Sequence, residues 1–535
     1  MPTVSADEYE RIKKDFAEAG DQPLQRAYCQ SYRIVRGELH IRFLLAANRV
    51  PEQIGCVFYK FRQEQLRYHG RVKLRPTGVR GFFRNLSAGD AGIRIYHVDC
   101  LLNVPWSELP SSLYGVDVVS SLGSNAIRTT KGNLLFPTER DTLYCFRDPS
   151  GRMLRIELYH LDRRTVEGLR TYVPPAAEHP RCLIGEYSNS ARDNGLALYN
   201  GIRGRGDVSA CYVVEADNPD DLKPDGAGIL AFGSLEHLRA AISADVVAFT
   251  HHAHYVLPGI VRHLQRINFL ATKRFFLQHG ITALKASMNA YRKSRTNYDL
   301  INVCSELEQS IVAQACQFDL GDVVIAGFPR HDELLHLARG ATPEASRILV
   351  FPTWRKGLER LDSAAARSTP FVARWTAALD AIRARGVHVT FILHPAIRHH
   401  AGLFEGHVDE LADAGQFQTA LVKTSALLTD YSSVCFEALY VGKPVFFFTF
   451  DAAEFEFAEN AYIDVSTQLP GLRLETPEAV ADAIEASRSA GWPMSRHAAD
   501  RFFAHRDDRN AERCAEAILA LAGRRALSAE DASGD

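Results

Sequence analysis

The sequence predicts an α/β protein in which two doubly wound, parallel-sheet lobes follow one another behind a β-rich N-terminal segment. Three observations predict it. From Cys182 onward, short apolar runs alternate with helical stretches, a pattern that implies a parallel sheet with helices on both faces. The same alternation restarts at 348–351, which makes two lobes. Before residue 175 the pattern is one of short alternating strands and turns.

Composition bounds the rest. With 535 residues, 46% of them apolar, the chain has material for about three domains, each with its own core. A formal charge of −2 exerts no global pull toward nucleic acid or anionic lipid. Of the 62 basic residues 12 are Lys, so there is no Lys-rich tail. No window reaches about 18 apolar residues, so no membrane-spanning helix is expected. Residues 1–20 are charged and read as a short helix, not a signal peptide. The ten cysteines are scattered without a CxxC pair, which suits free thiols in a reducing, cytoplasmic compartment.

In residues 1–175, Leu39, Ile41 and Phe43 alternate with His40 and Arg42, and Ile93 and Ile95 flank Arg94. Strands 143–147 and 153–159 are joined by the turn Asp148-Pro149-Ser150-Gly151. Short strands with frequent turns suggest a small sandwich, either an accessory packing domain or a module for a polymer or partner. Pro174-Pro175 begins a linker. The first lobe, 180–340, takes strands at 211–214, 246–249, 275–277, 301–304 and 323–326; the second, 345–475, takes 348–351, 387–393, 425–428 and 445–450. Residues 331–346 read as a polar connector, 476–523 as helices crossing the lobes, and 524–535 as a disordered tail. Ligands are expected where the carboxyl ends of the two sheets face each other.

The segment 428–448 is the strongest candidate site. After the strand, Thr429-Asp430-Tyr431-Ser432-Ser433 turns into a helix that Gly442 terminates, and Lys443-Pro444 leads into the next strand. Unpaired amides and two hydroxyls at a helix start suit a diphosphate. Glu437, four residues after Ser433, stands one turn inward and could take a ribose or polyol hydroxyl. The ordinary alternative is a plain helix cap by Asp430 or Ser432. Its companions lie at other strand ends. Arg355, in Pro352-Thr353-Trp354-Arg355, can meet a phosphate with two prongs. His394, held by Pro395, can donate to a phosphoryl oxygen or protonate a leaving group. His279 precedes Gly280, which permits a tight turn and leaves room for substrate. Each has a bland alternative as a core or surface residue. His399 and His400 are expected to face solvent. His251, His252 and His254 lack acidic or Cys companions at ligand spacing, and Asp217 and Asp221 lie in a polar loop, so no metal site is expected.

Taken in order, these motifs resemble those of the CDP-glycerol glycerophosphotransferase family, the teichoic-acid and capsule polymerases with a GT-B fold. The resemblance runs over roughly 180–475. It rests on Gly185-Glu186-Tyr187 with Asp193-Asn194, Gln278-His279-Gly280 with Lys285, Gly327-Phe328-Pro329-Arg330-His331-Asp332, Pro352-Thr353-Trp354-Arg355, His394-Pro395, and Thr429 to Ser433 with Lys443-Pro444. It implies a GT-B-type pair of Rossmann-like lobes, with His279 as the base on the acceptor lobe and Gly280, Lys285 and Arg330 beside it. It implies that Thr353, Arg355, His394, Asp430, Ser432, Ser433 and Glu437 surround the donor. Three positions depart from the family's pattern: Glu437 replaces Asp, His331 replaces Asn, and Gln278 replaces Trp.

The expected chemistry is transfer of glycerol phosphate or a related polyol phosphate from a CDP donor to a hydroxyl of a cell-surface polymer. CMP is released, and neither a cofactor nor a metal is needed. A lipid-linked acceptor would bring the protein to the inner face of the membrane, where the basic stretches 262–274 and 285–295 could meet it, although the same residues could line the acceptor path or face solvent. A glycosyltransferase of the same fold, or a non-catalytic binding protein on a transferase scaffold, are the alternatives.

Overall fold

The computed structural model describes residues 25–35, 38–47, 51–60, 67–76, 94–128, 134–137, 142–147, 153–187, 191–216, 226–284, 288–355, 357–454, 461–494 and 499–531. The helix expected in 1–20, the turn at 148–151, the acidic loop at 217–221 and Lys285 all lie outside the described residues.

Ten strands occupy the N-terminal region: β1 (Gln25–Val35), β2 (Glu38–Ala47), β3 (Gly55–Lys60), β4 (Arg67–Pro76), β5 (Arg94–Asn103), β6 (Ser112–Ser120), β7 (Gly123–Arg128), β8 (Leu134–Pro137), β9 (Thr142–Arg147) and β10 (Leu154–Tyr159). In β2 the alternation holds as expected: Leu39, Ile41 and Phe43 are buried while Glu38 and Arg42 are exposed. The sandwich expectation fails. The order β3-β4-β5-β2-β1-β7-β6 returns to β3 through a β3–β6 pairing, so seven strands close into a ring, and β10-β9-β8 extend from β6. Long strands that each pair on both edges can close on themselves, and closure removes the exposed edges that a sandwich keeps. The ring meets the first lobe through a buried ion pair, Lys60 Nζ to Glu215 Oε2 at 2.8 Å, with Ser112 Oγ donating to Glu215 Oε1 at 2.5 Å.

The first lobe is a seven-stranded sheet of β11 (Arg181–Gly185), β12 (Ser209–Val214), β13 (Ile229–Ala231), β14 (Val246–Phe249), β15 (Lys273–Phe276), β16 (Leu300–Val303) and β17 (Val323–Ile325), in the order β13-β12-β11-β14-β15-β16-β17. The second has β18 (Glu344–Phe351), β19 (His388–Ile392), β20 (Glu410–Ala412), β21 (Thr424–Thr429), β22 (Val445–Phe448) and β23 (Leu472–Leu474), in the order β20-β19-β18-β21-β22-β23. Every pairing in both sheets is parallel. Each order reverses once, beside β11 and beside β18, and ligand crevices form at such reversals. Of the three-residue edge strands the sequence reading finds β17 but not β13, β20 and β23, since so short a run seldom shows a pattern.

Helices relevant to the site are α1 (Asn194–Ile202), α2 (Glu306–Cys316), α3 (Arg330–Gly340), α4 (Pro370–Ala384), α5 (Val434–Tyr440), α6 (Pro477–Ser489) and α7 (Asn510–Asp531). The expected connector at 331–346 is largely α3. His331, Asp332 and Leu334 are buried, and Asp332 accepts from the Asn510 and Ala511 amides at 3.0 and 2.8 Å, capping α7. Asp332 is polar because it has buried partners, whereas Glu333, His336 and Arg339 on the same helix face solvent, as the sequence reading expects. Val480 and Ile484 of α6 pack with Trp375 and Leu379 of α4, whereas Cys514 and Ile518 of α7 pack with Leu198 and Phe275 of the first lobe. The chain therefore crosses back to the lobe it left. The expected disorder from Arg524 gives way to helix as far as Asp531, where a run rich in Arg, Ala and Leu continues α7 without a breaker.

Candidate active site

The lobes face each other across a cavity of about 440 Å³. The first lobe lines it with Gln278, His279, Gly280 and Tyr291, and the second with Thr353, Trp354, His394, Tyr431, Ser432 and Ser433. Each group follows the carboxyl end of a strand: β15 for His279, β18 for Thr353, β19 for His394 and β21 for the serines. Four strand-end segments far apart in sequence thus converge on one space, with Tyr291 beside them.

His279 is exposed on its turn. Its carbonyl accepts from Arg330 Nη1 at 2.8 Å, and its ring stacks on His251 with centroids 5.2 Å apart. His251 packs in turn on Tyr187 and places Nε2 3.9 Å from Asp193 Oδ2. His252 and His254 stack on each other and on Tyr291 and Tyr255, so the histidine cluster divides between supporting His279 and packing. Gly280 has no positive φ, contrary to the tight-turn argument. A Cβ there would lie 3.3 Å from Ser433 Oγ, so a side chain at this position would press on that hydroxyl.

On the opposite wall, His394 Nδ1 accepts from the Ala396 amide at 3.2 Å, which makes Nε2 the donor in the neutral ring. The Trp354 ring stacks on it at 5.9 Å. The Thr353 hydroxyl is buried and has no hydrogen-bond partner among the described residues, an arrangement that suits a ligand oxygen. Ser433 occupies the cap position of α5 without making a side-chain cap bond, and Ser432 Oγ reaches the Val434 amide at 3.5 Å, the far limit of a hydrogen bond. Plain capping does not account for the pair. With seven residues, α5 has a small dipole, so the hydroxyls are the stronger donors.

Three residues expected around the donor do not line the cavity. Arg355 forks onto Asp451 at 2.7 and 3.0 Å and meets Asp430 at 2.9 Å. Burial would lower its pKa, but the two carboxylates outweigh burial and hold the guanidinium charged. Asp430 is fully buried and accepts from the Thr353 and Tyr431 amides at 2.8 and 2.6 Å. Arg355 and Asp430 therefore tie the β18 loop to the β21 loop instead of facing the cavity. Glu437, expected at a donor hydroxyl, accepts from Arg330 Nε and Nη2 at 3.2 and 3.0 Å. Arg330, expected on the acceptor side, also pairs with Asp193 at 2.7 Å, and these two acids outweigh the burial that would lower its pKa. The helical period places Glu437 one turn inward correctly but cannot show the arginine of the other lobe waiting there.

His331 is buried against Tyr440 and Phe503, and burial, with Arg330 alongside, keeps its pKa well below the ordinary value. His400, expected in solvent, is buried with Nε2 3.0 Å from the Leu358 carbonyl, while His399 is exposed. Sequence reasoning gave no role to Asp193, Glu308 or Asp451, and read His251 only as a helix-start or cleft-lining residue. Asp451 follows β22 as Arg355 follows β18, so the strand-end rule could have found it.

Residues 176–520 match the family model described as CDP-glycerol:poly(glycerophosphate) glycerophosphotransferase. The chain is 26% identical over 368 residues to the minor teichoic acid biosynthesis protein GgaB of Bacillus subtilis, a match spanning 64% of this chain and 40% of that one. It is 26% identical over 243 residues to the teichoic acid ribitol-phosphate primase of Bacillus spizizenii, covering 42% of this chain and 59% of that one. The matches thus cover less than two thirds of either relative's length. Among solved structures it resembles the wall teichoic acid polymerase TagF, with a TM-score of 0.52, 17% identity, 68% of this chain and 95% of that one; the likeness is one of fold.

Proposed function

The chain belongs to the CDP-glycerol:poly(glycerophosphate) glycerophosphotransferase family, and from that premise we propose that it is a transferase moving a polyol phosphate from a CDP-activated donor to a hydroxyl of a cell-surface polymer of the teichoic-acid or capsule type. One observation carries the reading: His279 of one lobe faces Thr353, His394, Ser432 and Ser433 of the other across a single cavity. Glycerol phosphate is the leading cargo, with ribitol phosphate next.

The acceptor hydroxyl attacks the phosphorus that bears the polyol, and its proton passes to His279. The phosphorus–oxygen bond to CMP breaks, and CMP leaves. Such a transfer needs alignment and charge stabilisation more than covalent help. His394 Nε2–H and the three hydroxyls are placed to donate to the diphosphate. Arg355 and Asp430 act one layer back, fixing the two loops that carry those donors. We read the lobes as a GT-B pair and the strand ring as an accessory domain locked to the first lobe by Lys60 and Glu215.

The deciding experiment is the nucleotide released from CDP-glycerol, CDP-ribitol and UDP-sugars. CMP is expected; CDP or UDP would mean glycosyl transfer, and no release from any donor would mean a binding protein. The donors named require no metal, so activity should survive excess chelator, and loss restored by Mg²⁺ would remove that part of the reading.

Among the described residues no helix is long and apolar enough to cross a membrane. Contact with the inner membrane face, where a lipid-linked acceptor would lie, has support in one patch. Ile267 and Leu270, 84% and 58% exposed, share a short helix with exposed Arg266, beside Arg262 and near the exposed Val173. Apolar side chains next to arginines suit an anionic lipid surface.

A further inference from the structure

The turn that carries His279 is gripped from below by one carboxylate. Glu308, in the first turn of α2 and 1% exposed, accepts from Gln278 Nε2 at 2.5 Å and from the Thr282 amide at 2.6 Å through the same oxygen. Its other oxygen accepts from the Cys304 amide at 2.8 Å, at the end of β16. Gln278 stands one residue before His279 and Thr282 three after, so a single side chain closes both ends of the turn. Ser305 Oγ accepts from the Glu308 amide at 3.2 Å, which fixes the backbone from which the carboxylate reaches.

The rest of the turn is held as firmly. The Gln278 amide donates to Asn302 Oδ1 at 2.8 Å, and its carbonyl accepts from Asn194 Nδ2 at 2.7 Å. With Arg330 on the His279 carbonyl, the turn's backbone has little freedom left. The Glu308 site offers three N–H donors and asks for acceptors alone. A carboxylate meets that demand; an amide brings one oxygen and an NH₂ group that would point at N–H donors. Leaving buried donors unmatched costs more than the bonds themselves are worth.

We propose that Glu308 is a positioning residue for the transfer, its carboxylate holding His279 where it meets the acceptor hydroxyl. The inference rests on the transferase reading above for what His279 does, but not for what Glu308 holds. It also gives Gln278, a departure from the family's pattern, a partner of its own in this chain.

The test pairs Glu308→Gln with Gln278→Met, a milder change that removes one of the three bonds and keeps the volume. Turnover, affinity for CDP-glycerol and amide hydrogen exchange are measured on both variants and the wild type. Glu308→Gln should lower kcat on the order of 100-fold, the usual effect of a misplaced catalytic group, with donor affinity unchanged. Gln278→Met should lower it less, in the same direction. Exchange at Thr282 and Cys304 should quicken while β21 stays as protected as before. An unchanged kcat, a donor affinity that falls in step with kcat, or unchanged exchange at Thr282 would each overturn the proposal. A wild type that turns over no CDP-polyol overturns the transferase reading instead, and the exchange measurement then still decides whether Glu308 holds the turn.

Discussion

Arg330 of the α3 start lies 3.0 Å from Glu437 of α5, and the same guanidinium holds Asp193 and the His279 carbonyl. One side chain thus links the helix behind the serine pair to the turn that carries His279. Arg330→Ala would leave the buried Glu437 and the half-buried Asp193 without their shared counter-charge. It should cost about 3–5 kcal/mol of unfolding free energy, and Glu437→Gln about 1–3 kcal/mol. Denaturant unfolding measures both; an Arg330→Ala protein as stable as the wild type would show that this clamp holds nothing.

His279→Ala should abolish turnover, with a loss on the order of 10²–10⁴-fold for a missing general base. Calorimetric titration with CDP-glycerol should give the wild-type affinity, since the proposed donor contacts lie on the other wall. Turnover near wild type would remove His279 from the chemistry.

Arg355 does not line the cavity, yet its loss should reach it. Arg355→Ala frees Asp430 and Asp451 from their shared cation and loosens the loops that carry Thr353 and the serines. Donor affinity and kcat should both fall. Arg355→Lys keeps the charge but not the two-pronged fork, and should fall nearly as far. Full activity in the lysine variant would mean that charge alone is needed there.

Stability should decline as the medium turns alkaline. Burial pushes the Glu157 carboxyl up to about 8 and that of Glu308 up to about 7, against the pull of their hydrogen bonds. A pKa raised on folding stabilises fully below the unfolded value and is lost as pH rises through the folded one. The folded chain therefore holds more protons than the unfolded chain between about pH 5 and 8, and these two groups make stability fall across that window. The buried His237 and His331, whose pKa values burial lowers, pull the opposite way, but only below about pH 6.5, where an unfolded histidine charges. Between about pH 7 and 8 the carboxylates act alone among these groups, and Glu157→Gln should flatten the slope of unfolding free energy there. A slope equal to the wild type's would contradict this.

The exposed Ile267 and Leu270 should carry membrane contact if any surface does. Wild-type protein should float with vesicles containing phosphatidylglycerol at low salt, and less at high salt as the arginines are screened. Ile267→Glu with Leu270→Glu should stay at the bottom of the gradient while keeping turnover on a soluble acceptor. Equal flotation of both proteins would place the contact elsewhere.

Much of this was legible beforehand because it depends on local pattern. Both parallel sheets follow from apolar runs at the right spacing, and the cavity residues His279, His394, Ser432 and Ser433 follow from asking which polar groups end those runs, whereas Thr353 comes with the family resemblance. The ring of strands was not legible, because closure depends on a β3–β6 pairing across more than fifty residues. Nor was the burial of His400 or of Asp332, which find partners distant in sequence.

The sequence alone determined which groups reach the strand ends, since strand period and turn residues are properties of a few neighbours. Tertiary structure alone decided which of them face the cavity and which face each other. Arg355 and Glu437 carry the right chemistry for a ligand, but each sits within hydrogen-bond reach of a charged partner from another segment, Asp451 and Arg330. A buried charge takes the nearest fixed counter-charge, because leaving it alone in a poorly solvating interior costs more than any ligand contact would return.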